Sequence, residues 1–189
     1  MVSRNNTAVI TFNGEIYNYR QLTSMLQEKG FTFSTRSDTE VILKLYEAYG
    51  VDCLAHLRGM FAFAIWDRRK KELFLARDRV GIKPLYYLRG GEHFVFGSEI
   101  KAVLASGCST RKLSRHAFLQ YMRFLVVPQP ATIFEDIHKL APGSYMIVDS
   151  HGVIRERRYW AVDESTSTYA SVPERKCIGQ LDAMLTESV

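Results

Sequence analysis

Apolar positions along this chain alternate first with the period of a strand and then with that of a helix. Residues 7–12 are a short β-rich run, and Asn13-Gly14 after them has the composition of a tight turn. Asn18 stands where a helix cap would, with Gln21 three residues on and Tyr17 placed to staple onto Leu22. Leu22, Met25 and Leu26 then form an apolar stripe that Gly30 closes. Ser37-Asp38-Thr39-Glu40 repeats the capping pattern and opens a second helix through Val41, Leu45 and Ala48 to Gly50.

The middle of the chain reads as strands. In residues 60–66, Phe61, Phe63 and Ile65 alternate with Met60, Ala62, Ala64 and Trp66, so both faces are apolar and both should be covered. Further strands are expected at 72–76, 85–88 and 94–96, with a turn at Gly90-Gly91. Helices follow at 99–105, capped by Ser98, and after Ser114, carrying Phe118, Tyr121 and Met122. Val127-Pro128-Gln129-Pro130 breaks that helix. A hairpin pairs 144–148 with 153–160 across a turn at 149–152. Residues 161–172, rich in Ser and Thr, read as a linker before a last helix at 173–189. Strands and helices in this order imply a layered α+β domain with a two-sided core.

Composition changes this picture little. The 189 residues are 47% hydrophobic and 24% charged, with a net charge of +5, as expected of one globular domain and a trailing segment. Arg68-Arg69-Lys70-Lys71 lies between two strands and reads as a solvated hairpin turn, which argues against a nucleic-acid partner. No apolar run is long enough to cross a membrane, and no signal peptide opens the chain. Cysteines 53, 108 and 177 are odd in number and widely spaced. Neither a disulfide framework nor a zinc site fits them, and a reducing cytoplasm is the expected setting.

Three stretches carry more than patterning. They are Asn13-Gly14-Glu15-Ile16-Tyr17-Asn18, Ser37-Asp38-Thr39-Glu40, and Arg58-Gly59-Met60-Phe61-Ala62-Phe63-Ala64 with its continuation Arg77-Asp78-Arg79-Val80-Gly81-Ile82-Lys83-Pro84-Leu85. Together they resemble the class II glutamine amidotransferases, and most closely the N-terminal domain of glutamine-hydrolysing asparagine synthetases. Residues 132–134, 139–145 and 158–160 are similar to the family's connection towards the synthetase domain.

The resemblance implies a four-layer α-β-β-α sandwich of the N-terminal-nucleophile hydrolase type, here missing its N-terminal strands. The amidotransferase domain would span 1–160, and 161–189 would be a linker and the start of the synthetase domain. Thiolate attack on an amide builds a negative oxygen, and donors held where that charge develops lower the barrier. By resemblance, the Asn13 amide and the Gly14 N–H form that oxyanion hole, and Asp38 binds the α-ammonium group of L-glutamine. Glu15 would be a third glutamine contact, through backbone or side chain. Arg77, Asp78 and Lys83 read as a structural loop. ATP and Mg²⁺ would belong to the synthetase domain, with no cofactor in this chain.

The chain departs from the family in one respect that matters. The family's nucleophile is a cysteine exposed as the first residue, whose own α-amine is the base; here Val2 and Ser3 follow Met1, and Cys53, Cys108 and Cys177 cannot supply that amine. The segment bearing an arginine for the glutamine α-carboxylate and the Ser-Gly-Gly loop that binds ATP are also absent. This polypeptide is therefore expected neither to hydrolyse glutamine nor to activate aspartate alone. An open sheet edge left by missing strands would favour a homodimer. The other readings are an amidotransferase acting on another carboxylate, such as a sugar acid, and a non-catalytic module that binds glutamine or a partner.

Overall fold

The alternation of apolar residues becomes, in the computed structural model, a stack of four layers. The structure describes residues 1–90, 93–162 and 172–188. Its elements are β1 (Ala8–Ile16), α1 (Tyr19–Glu28), α2 (Asp38–Tyr49), a 3₁₀ turn (Gly50–Ala55), β2 (Gly59–Asp67), β3 (Glu72–Arg77), β4 (Tyr86–Gly90) and β5 (His93–Gly97). After these come α3 (Ile100–Ala105), α4 (Arg115–Phe124), β6 (Ile137–Lys139), β7 (Ser144–Asp149), β8 (Ile154–Arg158) and α5 (Glu174–Ser188). Among the described residues, one antiparallel sheet has the order β1-β2-β3-β7-β8 and a second the order β5-β4-β6.

Period-two alternation separates the cores. Phe61, Phe63 and Ile65 of β2 and Phe74 of β3 join Leu22, Leu26, Ile42 and Leu45 of the first two helices in one cluster. From the other face of the same strands, Ala62, Ala64, Leu75 and Met146 meet Leu85, Leu140, Tyr87 and Phe96 between the sheets. Leu88 of β4 turns outward to Val103 of α3 and to Ile137. Each layer boundary thus has its own apolar seam, and full burial of each Phe, Leu or Ile is worth roughly 1.5–3 kcal/mol. The double-faced strand is as expected up to Ile65, but Trp66 is 38% exposed.

Several local expectations are corrected. The first strand does not stop at Asn13-Gly14: Asn13 pairs with Ala62 and Gly14 with Phe61, and pairing continues to Ile16. A partner strand on one side satisfies this backbone, so the turn that the dipeptide favours locally is not formed. Tyr17 is exposed and does not staple. Glu99 occupies the cap of α3 in place of Ser98 and makes no side-chain cap. Ser114 does cap α4, accepting from the Ala117 N–H at 3.2 Å, while Phe118, Tyr121 and Met122 point outward. Cys53 lies in the 3₁₀ turn that follows α2. Met1 to Ser3 fold back along the start of β1, with the Met1 amine 2.8 Å from the Ile10 carbonyl oxygen, and cover part of that sheet edge. Gly91 and residues 163–171 of the expected linker lie outside the described residues.

Buried polar groups knit the loops at one end of the sandwich. Asp78 is 1% exposed, and its carboxylate accepts from the N–H groups of Phe61, Val80, Ile82 and Lys83 at 2.9–3.2 Å. Arg77 beside it donates to the carbonyl oxygens of Gly81, Lys83 and Leu140 and to the Gln129 amide. Burial lowers the guanidinium pKa, and Asp78 pushes it back up. A buried carboxylate is costly to remove where it satisfies several backbone donors, because each is left without an acceptor. Asp78→Ala is expected to cost roughly 3 kcal/mol or more, since four backbone donors lose their acceptor. Urea unfolding measures this, and a loss below 1 kcal/mol would contradict the assignment.

Candidate functional site

The site begins with two glycines that let strands cross closely. Gly14 has φ +152° and Gly59 has φ +157°, values that side-chain-bearing residues rarely adopt. A Cβ on Gly14 would run into the Met60 carbonyl oxygen, and one on Gly59 into the Glu15 carbonyl oxygen. Each strand therefore excludes a side chain on the other. The paired register puts Asn13 beside Ala62, on the face turned to the three-stranded sheet. There Thr11, Asn13, Ala64, Leu85 and Phe96 help to line a cavity of about 200 Å³. The side-chain amide of Asn13 makes no hydrogen bond to any described residue, so its donor is available to a ligand.

Asp38 reaches the same strand from another element. It is the first residue of α2, behind Ser37, whose hydroxyl caps the helix by accepting from the Thr39 N–H at 3.2 Å. One carboxylate oxygen, Oδ2, accepts the Ile16 N–H at 3.1 Å, two residues after Gly14. Among the described residues, the other, Oδ1, accepts a hydrogen bond only from the Ser37 hydroxyl, at 3.5 Å. The helix N-terminus favours negative charge here, and the Ile16 bond aims the carboxylate along β1.

Glu40 was expected to close a capping box onto Ser37. It bends further back instead, accepting from the Ser34 N–H at 2.9 Å and from the N–H and hydroxyl of Thr35 at 2.6 Å. These bonds order the loop that delivers Ser37 and Asp38. Glu15, the third expected contact, has an exposed side chain, and its carbonyl lies against Gly59. The structure thus brings Asn13, Gly14 and Asp38 to one end of β1 and leaves the Glu15 carboxylate outside. Sequence reasoning missed Gly59 and Glu40 as shapers of the site, although Gly59 sits inside a quoted motif and could have been read as a close-approach glycine.

No cysteine enters this arrangement. Cys53 is fully buried, and burial with Asp52 nearby pushes its thiol up to about 12, far from an available thiolate. Cys108 follows α3 in a loop and Cys177 lies on α5. Among the described residues no group of three His, Cys, Asp or Glu side chains is placed to hold a metal. No described helix is long and apolar enough to cross a membrane.

Two face-to-face antiparallel sheets between helices, with this Asn-Gly pair on an outer strand, define the N-terminal-nucleophile type of amidotransferase fold. A glutamine phosphoribosylpyrophosphate amidotransferase from Bacillus subtilis shares it, with a TM-score of 0.61 at 24% identity over 86% of this chain and 31% of that one. The chain belongs to the glutamine amidotransferase domain family, which it matches over residues 1–160. It is 42% identical over 151 residues to asparagine synthetase [glutamine-hydrolyzing] 1 of Bacillus subtilis, covering 80% of this chain and 24% of that protein. It is 36% identical over 151 residues to amidase chry2 of Gibberella zeae, covering 80% of this chain and 22% of that protein. The chain thus spans about a quarter of the length of these relatives.

The Glu40 contacts give a pH-dependent outcome. Burial opposes its ionisation, but the hydrogen bonds from Thr35 and Ser34 outweigh that and hold its pKa below the ordinary 4.5. A carboxylate whose folded pKa is depressed stabilises the fold above its unfolded pKa, and that stability is lost as pH falls through the folded value. Glu40→Gln is expected to be less stable than the parent at pH 7 by about 1–2 kcal/mol. The gap should narrow as pH falls below the ordinary 4.5 and close once pH has passed the lowered folded value. Urea titrations at pH 7 and pH 3.5 check this, and a gap independent of pH would rule out the charge as its cause.

Proposed function

We propose that this chain is the glutamine-recognising part of a glutamine-hydrolysing asparagine synthetase. Asn13 and Gly14 donate to the carboxamide oxygen of L-glutamine, and Asp38 takes its α-ammonium group. The observation that carries this reading is the Asp38 carboxylate, tied by Oδ2 to the Ile16 N–H two residues after Gly14, with the Ser37 hydroxyl the one described group bonded to its other oxygen. An ammonium group there makes a charge-assisted hydrogen bond, which selects amino acids over simple amides. The likeness to the B. subtilis asparagine synthetase supports aspartate as the carboxylate amidated.

Hydrolysis itself needs a thiolate with a nearby base, which Cys53, buried and protonated, does not supply. In our reading the chain as given binds glutamine without turning it over. The nucleophile, the ATP site and its Mg²⁺ belong to parts of the protein beyond these residues. Asn13 and Gly14 then act on the developing negative oxygen, where fixed donors count most. A second reading is amidation of a different carboxylate, since the domain is also similar to that of amidase chry2, a relative not named as a synthetase. The acceptor pocket would distinguish the two, and nothing in residues 1–160 forms part of it in either reading.

In protein that carries the nucleophile and the synthetase domain, Asp38→Asn should raise the KM for glutamine and leave ammonia-dependent synthesis unchanged. An equal loss of both activities would make Asp38 a folding residue instead. Asn13→Ala should lower glutaminase turnover by about a hundredfold or more, as the loss of one oxyanion donor does. Unchanged turnover would remove Asn13 from that role.

A further inference from the structure

Asn18 stands where the sequence places a helix cap, yet it caps nothing: the N-cap position of α1 has no side-chain hydrogen bond. Its amide is spent elsewhere. Nδ2 donates to the His56 carbonyl oxygen at 2.9 Å, and Oδ1 accepts the Arg58 N–H at 3.0 Å. One residue earlier, the Tyr17 N–H donates to the Arg58 carbonyl oxygen at 2.8 Å. The last strand pair is Ile16 with Gly59, so these three bonds carry the β1–β2 pairing past its end. A primary amide can turn one N–H and its carbonyl oxygen to a strand much as a peptide group does. Asn18 thus stands in for a further rung of the ladder after the chain has turned away into α1.

That rung bears directly on the site. Residue 59 follows immediately on the clamped segment 56–58, and Gly59 lies against the Glu15 carbonyl with no room for a Cβ. Gly14 lies in the same way against the Met60 carbonyl. Neither contact has slack, so a shift of 56–59 must move Gly14 and the Asn13 beside it.

We infer that Asn18 is a positioning residue for the Asn13-Gly14 donor pair, acting through the backbone of Arg58 and Gly59. The inference rests on the reading of that pair as the carboxamide site for glutamine. Asn18 itself touches no substrate. Misplacing preorganised donors by a fraction of a bond length weakens them much as removing them does.

The test uses the 189-residue chain, its Asn18→Ala variant, and Asn18→Asp, which keeps the acceptor for Arg58 and loses the donor to His56. Amide resonances of Gly14, Gly59 and the distant Leu88 are followed by NMR, and L-glutamine affinity by calorimetry. The expected result is a folded Asn18→Ala protein whose Gly14 and Gly59 resonances shift while Leu88 stays in place. Its glutamine affinity should fall about tenfold, with Asn18→Asp between it and the parent. Unchanged Gly14 and Gly59 resonances in a folded variant overturn the inference, as does unchanged affinity where the parent binds. Loss of the fold in both variants also overturns it and makes Asn18 a folding residue. A parent that binds no glutamine defeats the functional reading alone, and the Gly14 resonance still decides whether Asn18 sets the position.

Discussion

Backbone contact between β1 and β2 at Gly14 and Gly59 is the constraint on which the site depends. Side chains normally hold neighbouring strands in register from outside the ladder. Here two positive-φ glycines remove that buffer, and each peptide carbonyl occupies the space where the opposite residue's Cβ would be. The gain is a donor geometry set by the main chain, whose freedom is far smaller than that of a side chain. The cost is that nothing can relax locally, so the strand end must be held from several directions. Asp38 holds it through Ile16, Asn18 through Arg58, and Asp78 through Phe61.

Those three residues divide the work by chemistry. Asp78 is sealed from solvent and its hydrogen bonds among the described residues all come from backbone donors, so it serves the fold. Asn18 is neutral and bonds backbone groups through both Nδ2 and Oδ1, so it serves register. Asp38 is half-buried and tied to the backbone by one oxygen, and in the proposed reading the other meets the ligand. A buried carboxylate is kept in place when hydrogen bonds satisfy it, and an incompletely used one beside a groove is where binding is looked for.

Much of the layering was legible in the sequence because it follows from alternation. Phe61, Phe63 and Ile65 against Ala62 and Ala64 announced a strand covered on both faces, and both seams exist. The turn at Arg68 to Lys71 was equally readable, and Asp67 accepts from the N–H groups of Arg69 and Lys70 within it. The fate of Asn13-Gly14 was not readable from local pattern, because a dipeptide suited to a turn was captured by a partner strand fifty residues away. Asn18 and Glu40 failed for a related reason. Their side chains fit local capping rules, but distant or preceding backbone groups offered better partners. For the site, the resemblance of the three motifs to the class II amidotransferases pointed to Asn13, Gly14 and Asp38, while the bond from Ile16 to Asp38 needed coordinates.

A crystal structure of the chain soaked with L-glutamine tests the central claim most directly. The account predicts the α-ammonium group at hydrogen-bond distance from Asp38 Oδ1, with the carboxamide oxygen facing the Asn13 amide and the Gly14 N–H. Asp38 Oδ2 should remain on Ile16. Glutamine seated elsewhere, or an Asp38 carboxylate that leaves Ile16 and turns away from the ligand, would contradict it.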